Sequence, residues 1–174
     1  METKQTERAA APVEIAGEPA DSEDAVRCVE AYFRELDARF ERGFDPGAGG
    51  YARDAPKDEG KGCFLIARID GRAVGCGALR ALDTETGEIK RMWIAPEARG
   101  MGLARRLLDM LEEAARGFGM KRVRLDTNRA LGEAQALYRK AGYREIARYN
   151  DNLYADFFFE KQLVQPGKSS PISR

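Results

Sequence analysis

A glycine-rich turn joins a short strand-like run to an apolar helix within this 174-residue chain. Such a turn leaves several backbone N–H groups at the start of the helix without partners, and the helix dipole adds partial positive charge there. Arg99 at its entrance adds a full positive charge, so the turn is suited to hold a phosphate or pyrophosphate group. The residues of the turn are Arg99, Gly100, Met101, Gly102, Leu103 and Ala104.

The residues on both sides of the turn support a strand–turn–helix unit. Residues 88–94 are β-prone, and Pro96 ends this strand because proline cannot donate to a ladder. A second strand, residues 122–127, and a second helix, which ends in residues 136–143, come later in the chain. The helix after the turn has apolar residues at helical spacing and Gly119 as its stop signal; they are Leu103, Leu107, Leu108, Leu111, Ala114, Ala115 and Phe118.

The composition excludes several classes of protein. Lys plus Arg and Asp plus Glu both number 29, so the net charge is zero and no nucleic-acid footprint is present. The chain has no histidine, which excludes Ser-His-Asp and Cys-His nucleophilic sites and every His-bearing metal site. No apolar run approaches the ~20 residues that span a bilayer, and the N-terminus lacks a signal-peptide core. We therefore expect a cytoplasmic protein that binds no nucleic acid, membrane or metal.

The length is sufficient for one domain with a substantial core. We expect a disordered tail over residues 1–11, the domain over residues 12–165 and a flexible tail over residues 166–174. The order of elements reads β-α(α)-β-β-β-α-β-α-β-β, with last strands at residues 143–149 and 154–164. The three cysteines Cys28, Cys63 and Cys76 have no metal-ligand spacing, which favours buried thiols in a reducing cytoplasm.

Two shorter patterns define the first half of the chain. Asp70 and Gly71 lie between two β-prone runs and predict a hairpin turn. Earlier in the chain, Asp21 or Ser22 is suited to cap a helix. Residues 44–50 end that helix, and a loose segment continues from there to Gly62. The apolar face predicted for this helix consists of Val26, Val29, Tyr32, Phe33, Leu36 and Phe40.

The turn and the helix before Gly142 carry two motifs through which the chain resembles the GNAT superfamily of acyl-CoA-dependent N-acetyltransferases. The loop signature of that family, Gln/Arg-x-x-Gly-x-Gly/Ala, is met by Arg99, Gly102 and Ala104. The resemblance extends over residues 13–164. The second signature, Ala-x-x-Leu-Tyr-x-x-x-Gly-Phe/Tyr, is met by Ala134, Leu137, Tyr138, Gly142 and Tyr143.

The resemblance implies a mixed α/β fold with acetyl-CoA as cofactor. The central twisted sheet would have six to seven strands and about four flanking helices, and two splayed parallel strands would form the CoA cleft. Backbone N–H groups near Met92, Trp93 and Ile94 would pair with pantetheine and with the thioester oxygen, although Trp93 itself fits the core better. The pyrophosphate would be held by Arg99, Gly100, Met101, Gly102, Leu103 and Ala104.

The resemblance also implies roles for two ionisable residues. Tyr138 matches the tyrosine that protonates the departing thiolate, or orients the cofactor, in this family. Glu88 occupies the strand position where one branch of the family keeps its glutamate base. Strict strand alternation places Glu88, Lys90, Met92 and Ile94 on one face, so Glu88 is either the base or an ion-pair partner of Lys90. Glu35, Asp37, Asp45 and Asp151 are alternative bases.

The acceptor site of this family is formed by the first helix, the loop after it and the final hairpin loop. These segments carry Tyr32, Glu35, Asp45, Asn150, Asp151, Asn152 and Tyr154, which suit a cationic amine. We therefore expect an N-acetyltransferase that acts by direct attack on a small amine, amino acid or antibiotic. A protein lysine or N-terminal acetyltransferase and a non-catalytic acyl-CoA sensor are alternatives, and a homodimer is consistent with exposed last strands. A generic nucleotide-binding domain is disfavoured because the turn lacks the Lys-Ser/Thr of a P-loop.

Overall fold

The protein is described by a computed structural model, which covers residues 11–47 and 60–164. These residues form a seven-stranded sheet with α-helices packed on it, which confirms the predicted mixed α/β fold and its order of elements. The predicted tails, apart from Ala11, and most of the loose segment before Gly62 lie outside the described residues. The strands are β1 (Val13–Gly17), β2 (Gly62–Ile69), β3 (Arg72–Ala81), β4 (Thr86–Ile94), β5 (Arg122–Thr127), β6 (Arg144–Ile146) and β7 (Phe157–Gln162), and the helices are α1 (Glu23–Arg39), α2 (Leu103–Gly117), α3 (Gly132–Lys140) and a 3₁₀ helix (Pro96–Ala98).

The sheet opens between its two central strands. Its order is β1-β2-β3-β4-β5-β7-β6, and every neighbouring pair is antiparallel except β4 and β5. These two pair only from Thr86 opposite Arg122 to Glu88 opposite Arg124. Beyond that point β4 continues to Ile94 without pairing to β5, so its edge is left for another extended chain. The predicted splay of two parallel strands is confirmed.

A β-bulge in β4 reverses the direction of its side chains. Cys76 lies opposite Trp93, but Ala78 lies opposite Lys90. Between these pairs, β3 has one residue, Gly77, whereas β4 has two, Arg91 and Met92. Arg91 in the bulge has φ of +56°, a left-handed conformation that is uncommon outside glycine. The prediction that Glu88, Lys90, Met92 and Ile94 share one face is therefore wrong. Met92 and Ile94 pack towards α2, whereas Glu88 and Lys90 face the other side of the sheet.

Helix α2 covers one face of the sheet and begins and ends as expected. Leu103, Leu107, Leu108, Leu111 and Ala115 are buried against β2, β3 and β4, and they belong to the larger core cluster. The helix ends before Gly119, whose φ of +79° suits the left-handed position after a helix.

Helix α1 covers the opposite face and is capped by Ser22, whose Oγ accepts a hydrogen bond from the Ala25 N–H at 3.1 Å. The predicted apolar face is wrong at Val26, which is 43% exposed, because the helix packs through Ala25 and Cys28 instead. These two small side chains form the second core cluster with Phe64, Ile66 and Cys76, and they let α1 lie close to the sheet.

The predicted hairpin turn at Asp70 and Gly71 is present. Both residues have positive φ, +51° and +74°, as a two-residue turn between twisted strands requires. The last two strands are shorter than predicted, and β7 rather than β6 adjoins β5. Within residues 11–47 and 60–164, helices of the length and apolarity needed to traverse a lipid bilayer are absent.

Candidate active site

The gap between β4 and β5 leads into a cavity of about 350 Å³ beside the glycine turn. The cavity is lined mostly by apolar atoms from β4, the turn and α3, and Tyr32 and Glu35 of α1 lie at its side. Met101, the one remaining residue of the turn, does not line it and is 48% exposed. The predicted cofactor residues that do line it are Met92, Trp93, Ile94, Arg99, Gly100, Gly102, Leu103, Ala104 and Tyr138.

The turn has the backbone geometry of an anion site. Gly100 and Gly102 have φ of +80° and +74°, and a Cβ added at either would meet no atom within 4 Å. The first hydrogen bond of α2 runs from the Arg106 N–H to the Gly102 carbonyl at 3.2 Å. The N–H groups before Arg106 therefore lack helical partners, and a phosphate fits this open surface.

Arg99 connects the turn to α1. Its Nε donates to the Ile94 carbonyl at 3.0 Å, and its Nη2 donates to Glu35. Arg39 lies 3.6 Å from Glu35 and also pairs with Glu133 of α3. A chain of ion pairs thus crosses the side of the cavity from the turn to α3. Glu35, predicted for the acceptor site, lies here beside Arg99.

Tyr138 lies where this cavity meets a second one. Its side chain is 5% exposed and packs against Tyr143 and Phe159, with ring centroids 5.8 Å and 6.3 Å away. Burial, and then the negative charge of Asp126, raise the pKa of Tyr138 well above its ordinary value. The hydroxyl therefore keeps its proton at neutral pH and is a proton donor.

The second cavity is small, about 50 Å³, and is lined by carboxylates and cations together. Glu88 and Lys90 of β4 and Asp126 of β5 line it below, and Tyr138 closes one side. Its other walls combine polar residues with apolar and aromatic ones. The polar ones are Arg91, Thr127, Asn128 and Asn152, and the apolar and aromatic ones include Tyr32, Leu36, Phe40, Met92, Leu131 and Tyr154. Glu88 is paired with cations, whereas Asp126 forms no salt bridge with a described residue, so the cavity offers the Asp126 carboxylate to an amine.

Glu88 is 1% exposed and is surrounded by four hydrogen-bond donors. Arg80 Nε lies 2.8 Å and Lys90 Nζ 3.4 Å from its Oε1. Its Oε2 accepts from the Tyr149 hydroxyl at 2.8 Å and from Asn150 Nδ2 at 3.4 Å. The pairing with Lys90 that the sequence allowed is present. The buried carboxylate also fixes the loop between β6 and β7.

Asp126 was not among the predicted site residues. It accepts hydrogen bonds from Asn150 Nδ2 at 2.6 Å and Asn152 Nδ2 at 3.1 Å. Burial, and next the charge of Glu88, raise the pKa of Asp126, although both asparagines and Lys90 act in the opposite direction. One signal in the sequence was available, since Asp126 follows Arg122 and Arg124 on the polar face of a strand whose neighbour carries Glu88.

The remaining predicted acceptor residues fall into two groups. Tyr32 and Tyr154 line the second cavity, and Asn150 lies beneath it through its bonds to Glu88 and Asp126. Asp45 and Asp151 are exposed and do not line it. The Asp45 N–H donates to the Tyr154 hydroxyl at 2.9 Å, while the Asp45 carboxylate accepts from the Gly47 N–H.

The fold and the two motifs define the class of protein. The chain belongs to the acetyltransferase (GNAT) family, whose model matches residues 29–143. An IAA acetyltransferase of Azospirillum brasilense is 46% identical over 84 residues, which are 47% of this chain and 54% of that protein. The chain spans about half the length of this relative and of a second one from Escherichia coli.

Solved structures show the same fold. A GNAT-family acetyltransferase from Staphylococcus aureus superposes with a TM-score of 0.74 at 19% identity, covering 88% of this chain and 100% of that one. A GNAT-family acetyltransferase from Elizabethkingia anophelis with acetyl-CoA bound has a TM-score of 0.63 at 17% identity, covering 87% and 98%.

Proposed function

We propose that the protein transfers an acetyl group from acetyl-CoA to a primary amine by direct attack within a ternary complex. The observation that carries this proposal is the meeting of two unlike cavities at Tyr138, one beside a turn suited to an anion and one that contains the Asp126 carboxylate. The names of the relatives as acetyltransferases and the acetyl-CoA bound to a structural neighbour support the same donor.

The donor cavity would hold acetyl-CoA mainly through backbone atoms. The N–H groups of residues 100–105 and the guanidinium of Arg99 would bind the pyrophosphate. The free edge of β4 near Met92, Trp93 and Ile94 would pair with the pantetheine arm as an added strand. When bound, acetyl-CoA supplies an activated thioester. A backbone N–H directed at the thioester oxygen stabilises developing charge, and removing one such donor elsewhere costs roughly 2.7–4 kcal/mol.

Tyr138 is the proposed acid. Its proton is held firmly by burial, it lines both cavities, and no hydrogen bond to its hydroxyl is formed within the described part of the chain. It can therefore donate to the departing sulfur without first losing another partner.

Glu88 was predicted as base or ion-pair partner, and its four donors favour the second role. In that role it positions Tyr149 and Asn150 beneath the acceptor cavity.

The acceptor is proposed to be a small primary amine. A cavity of about 50 Å³ admits an amino group and a few atoms around it, and the Asp126 carboxylate, which forms no salt bridge with a described residue, stabilises positive charge. The apolar walls formed by Leu36, Phe40 and Leu131 would contact the carbon skeleton next to that amino group.

The test is the Tyr138→Phe variant. We expect kcat to fall at least tenfold while the KM for acetyl-CoA changes little, because only the proton donor is lost. The measurement is CoA release over a panel of primary amines. Tyr143→Phe is the matched control, since Tyr143 is also buried but donates to Glu112 at 3.0 Å, away from both cavities.

Two outcomes would contradict the proposal. Wild-type turnover in Tyr138→Phe would remove Tyr138 from the chemistry. Acetyl-CoA binding without CoA release on any amine would instead indicate a non-catalytic sensor.

A further inference from the structure

Asp126 lies at the point where the central strands separate. The last pair between β4 and β5 joins Glu88 and Arg124, so Asp126 lies two residues beyond the point where β5 stops pairing with β4, while β5 stays paired with β7. Val123 and Leu125 are buried in the α2 core, and strand alternation turns Asp126 to the opposite side. There it lines the acceptor cavity together with Glu88 and Tyr138.

The two carboxylates below the acceptor cavity differ in how many donors they already accept. A carboxylate offers about four lone-pair sites. Glu88 has four donors, two of them the cations Arg80 and Lys90. Asp126 has two donors, the neutral side-chain amides of Asn150 and Asn152, and it forms no salt bridge with any residue that the structure describes. Asp126 therefore keeps lone pairs for a ligand, whereas those of Glu88 are occupied.

The surroundings of Asp126 favour its acting as a proton acceptor. The charged groups nearest to it are Glu88 and Lys90 of β4, and Arg91 of β4 lines the same cavity. The phenols of Tyr138 on α3 and Tyr149 in the β6–β7 loop are close enough to feel its charge. Burial is the largest influence on its pKa and raises it, which strengthens the carboxylate as a base. The amides hold both carboxylate oxygens in place without neutralising their charge.

We propose that Asp126 is the general base that removes a proton from the acceptor ammonium. This inference rests on the proposed acetyl transfer. An N–H bond of the ammonium breaks, and an O–H bond to Asp126 forms. The neutral nitrogen then bonds to the acetyl carbon as the carbon–sulfur bond breaks. Tyr138 gives its proton to the sulfur and regains one from the nitrogen, and the proton on Asp126 passes to water, which balances the reaction.

The experiment compares pH profiles of kcat/KM for an alkylamine in wild type, Asp126→Asn and Asp126→Glu. In wild type, kcat/KM is expected not to change with pH above the pKa of Asp126. Asp126→Asn is expected to lose at least 100-fold at pH 7. That loss should shrink about tenfold per pH unit towards the amine pKa of about 10.4, because the variant uses only amine that is already neutral. In Asp126→Glu, kcat/KM should again be independent of pH over this range, at a lower value than in wild type.

Two further measurements isolate the proton transfer. The loss in Asp126→Asn should be smaller for glycinamide, whose α-amino group titrates at about 7.7–8.0, and the KM for acetyl-CoA should not change. Asp70→Asn is the matched control, because Asp70 lies in the β2–β3 turn and an Asn-Gly turn is equally favourable there. Its profile should equal that of wild type.

The proposal is overturned if Asp126→Asn keeps the wild-type profile or loses activity equally at every pH. It is also overturned if kcat/KM rises with pH towards the amine pKa in Glu88→Gln rather than in Asp126→Asn. Failure of wild type to acetylate any amine would refute the proposed function itself, so the wild-type arm distinguishes the two failures.

Discussion

The proposed donor and acceptor halves of the cleft are formed by different parts of the polypeptide. The donor half consists of backbone groups, namely the N–H groups of residues 100–105 and the free edge of β4. The acceptor half consists of side chains from three distant segments, represented by Glu88, Asp126 and Asn150. A backbone site depends on φ, ψ and small residues, whereas a side-chain site depends on chemical identity. The first is therefore suited to one constant cofactor and the second to a particular acceptor.

The largest expected effect tests the backbone half. In Gly102→Ala the affinity for acetyl-CoA should fall at least tenfold, because a Cβ at φ +74° disfavours the turn conformation and projects into the space for the pyrophosphate. Calorimetric titration with acetyl-CoA measures it.

Gly71→Ala is the matched control for this variant. Gly71 also has φ of +74° and open space at its Cβ, but it lies in the β2–β3 hairpin. Both variants should lose similar thermal stability, and only Gly102→Ala should lose affinity. Equal affinities in the two variants would show that the turn does not contact the cofactor.

A smaller effect tests the connection between the two halves. Glu35→Gln should tighten acetyl-CoA binding by at most about fivefold, because it releases Arg99 from a partly exposed ion pair of a kind worth ~0.2–1 kcal/mol. The same calorimetric titration measures this change in affinity. Glu23→Gln is the control, because Glu23 forms an exposed ion pair with Arg27 on the same helix. Weaker binding would mean that Glu35 supports the turn rather than competing for Arg99.

The donor half was predictable because its signal is local in the sequence. The glycines at residues 100 and 102 and the apolar spacing of α2 depend on neighbours within one turn and one helix. The same holds for the Ser22 cap and the Asp70–Gly71 hairpin.

The acceptor half depends on long-range geometry. Asp126 meets Asn150 and Asn152 only because β7 inserts between β5 and β6, and the order of strands does not follow from their spacing. The bulge at Arg91 was not predictable from spacing either. Strict alternation placed Met92 on the same face as Glu88, but one extra residue in β4 turns the Met92 side chain to the opposite face. Glu35, Asp45 and Asp151 were predicted for the acceptor site from the segments that carry them, but the structure does not bring them into the lining of the smaller cavity, because that lining depends on tertiary contacts with no local mark in the sequence.

The most direct test of the central claim is an amide NMR titration of the ¹⁵N-labelled protein with CoA, which requires no acceptor. If backbone groups hold the cofactor, the largest shifts should fall on the backbone amides of residues 100–105 and of Met92, Trp93 and Ile94, with small shifts over residues 150–154. Shifts that leave residues 100–105 unchanged while CoA binds would contradict it.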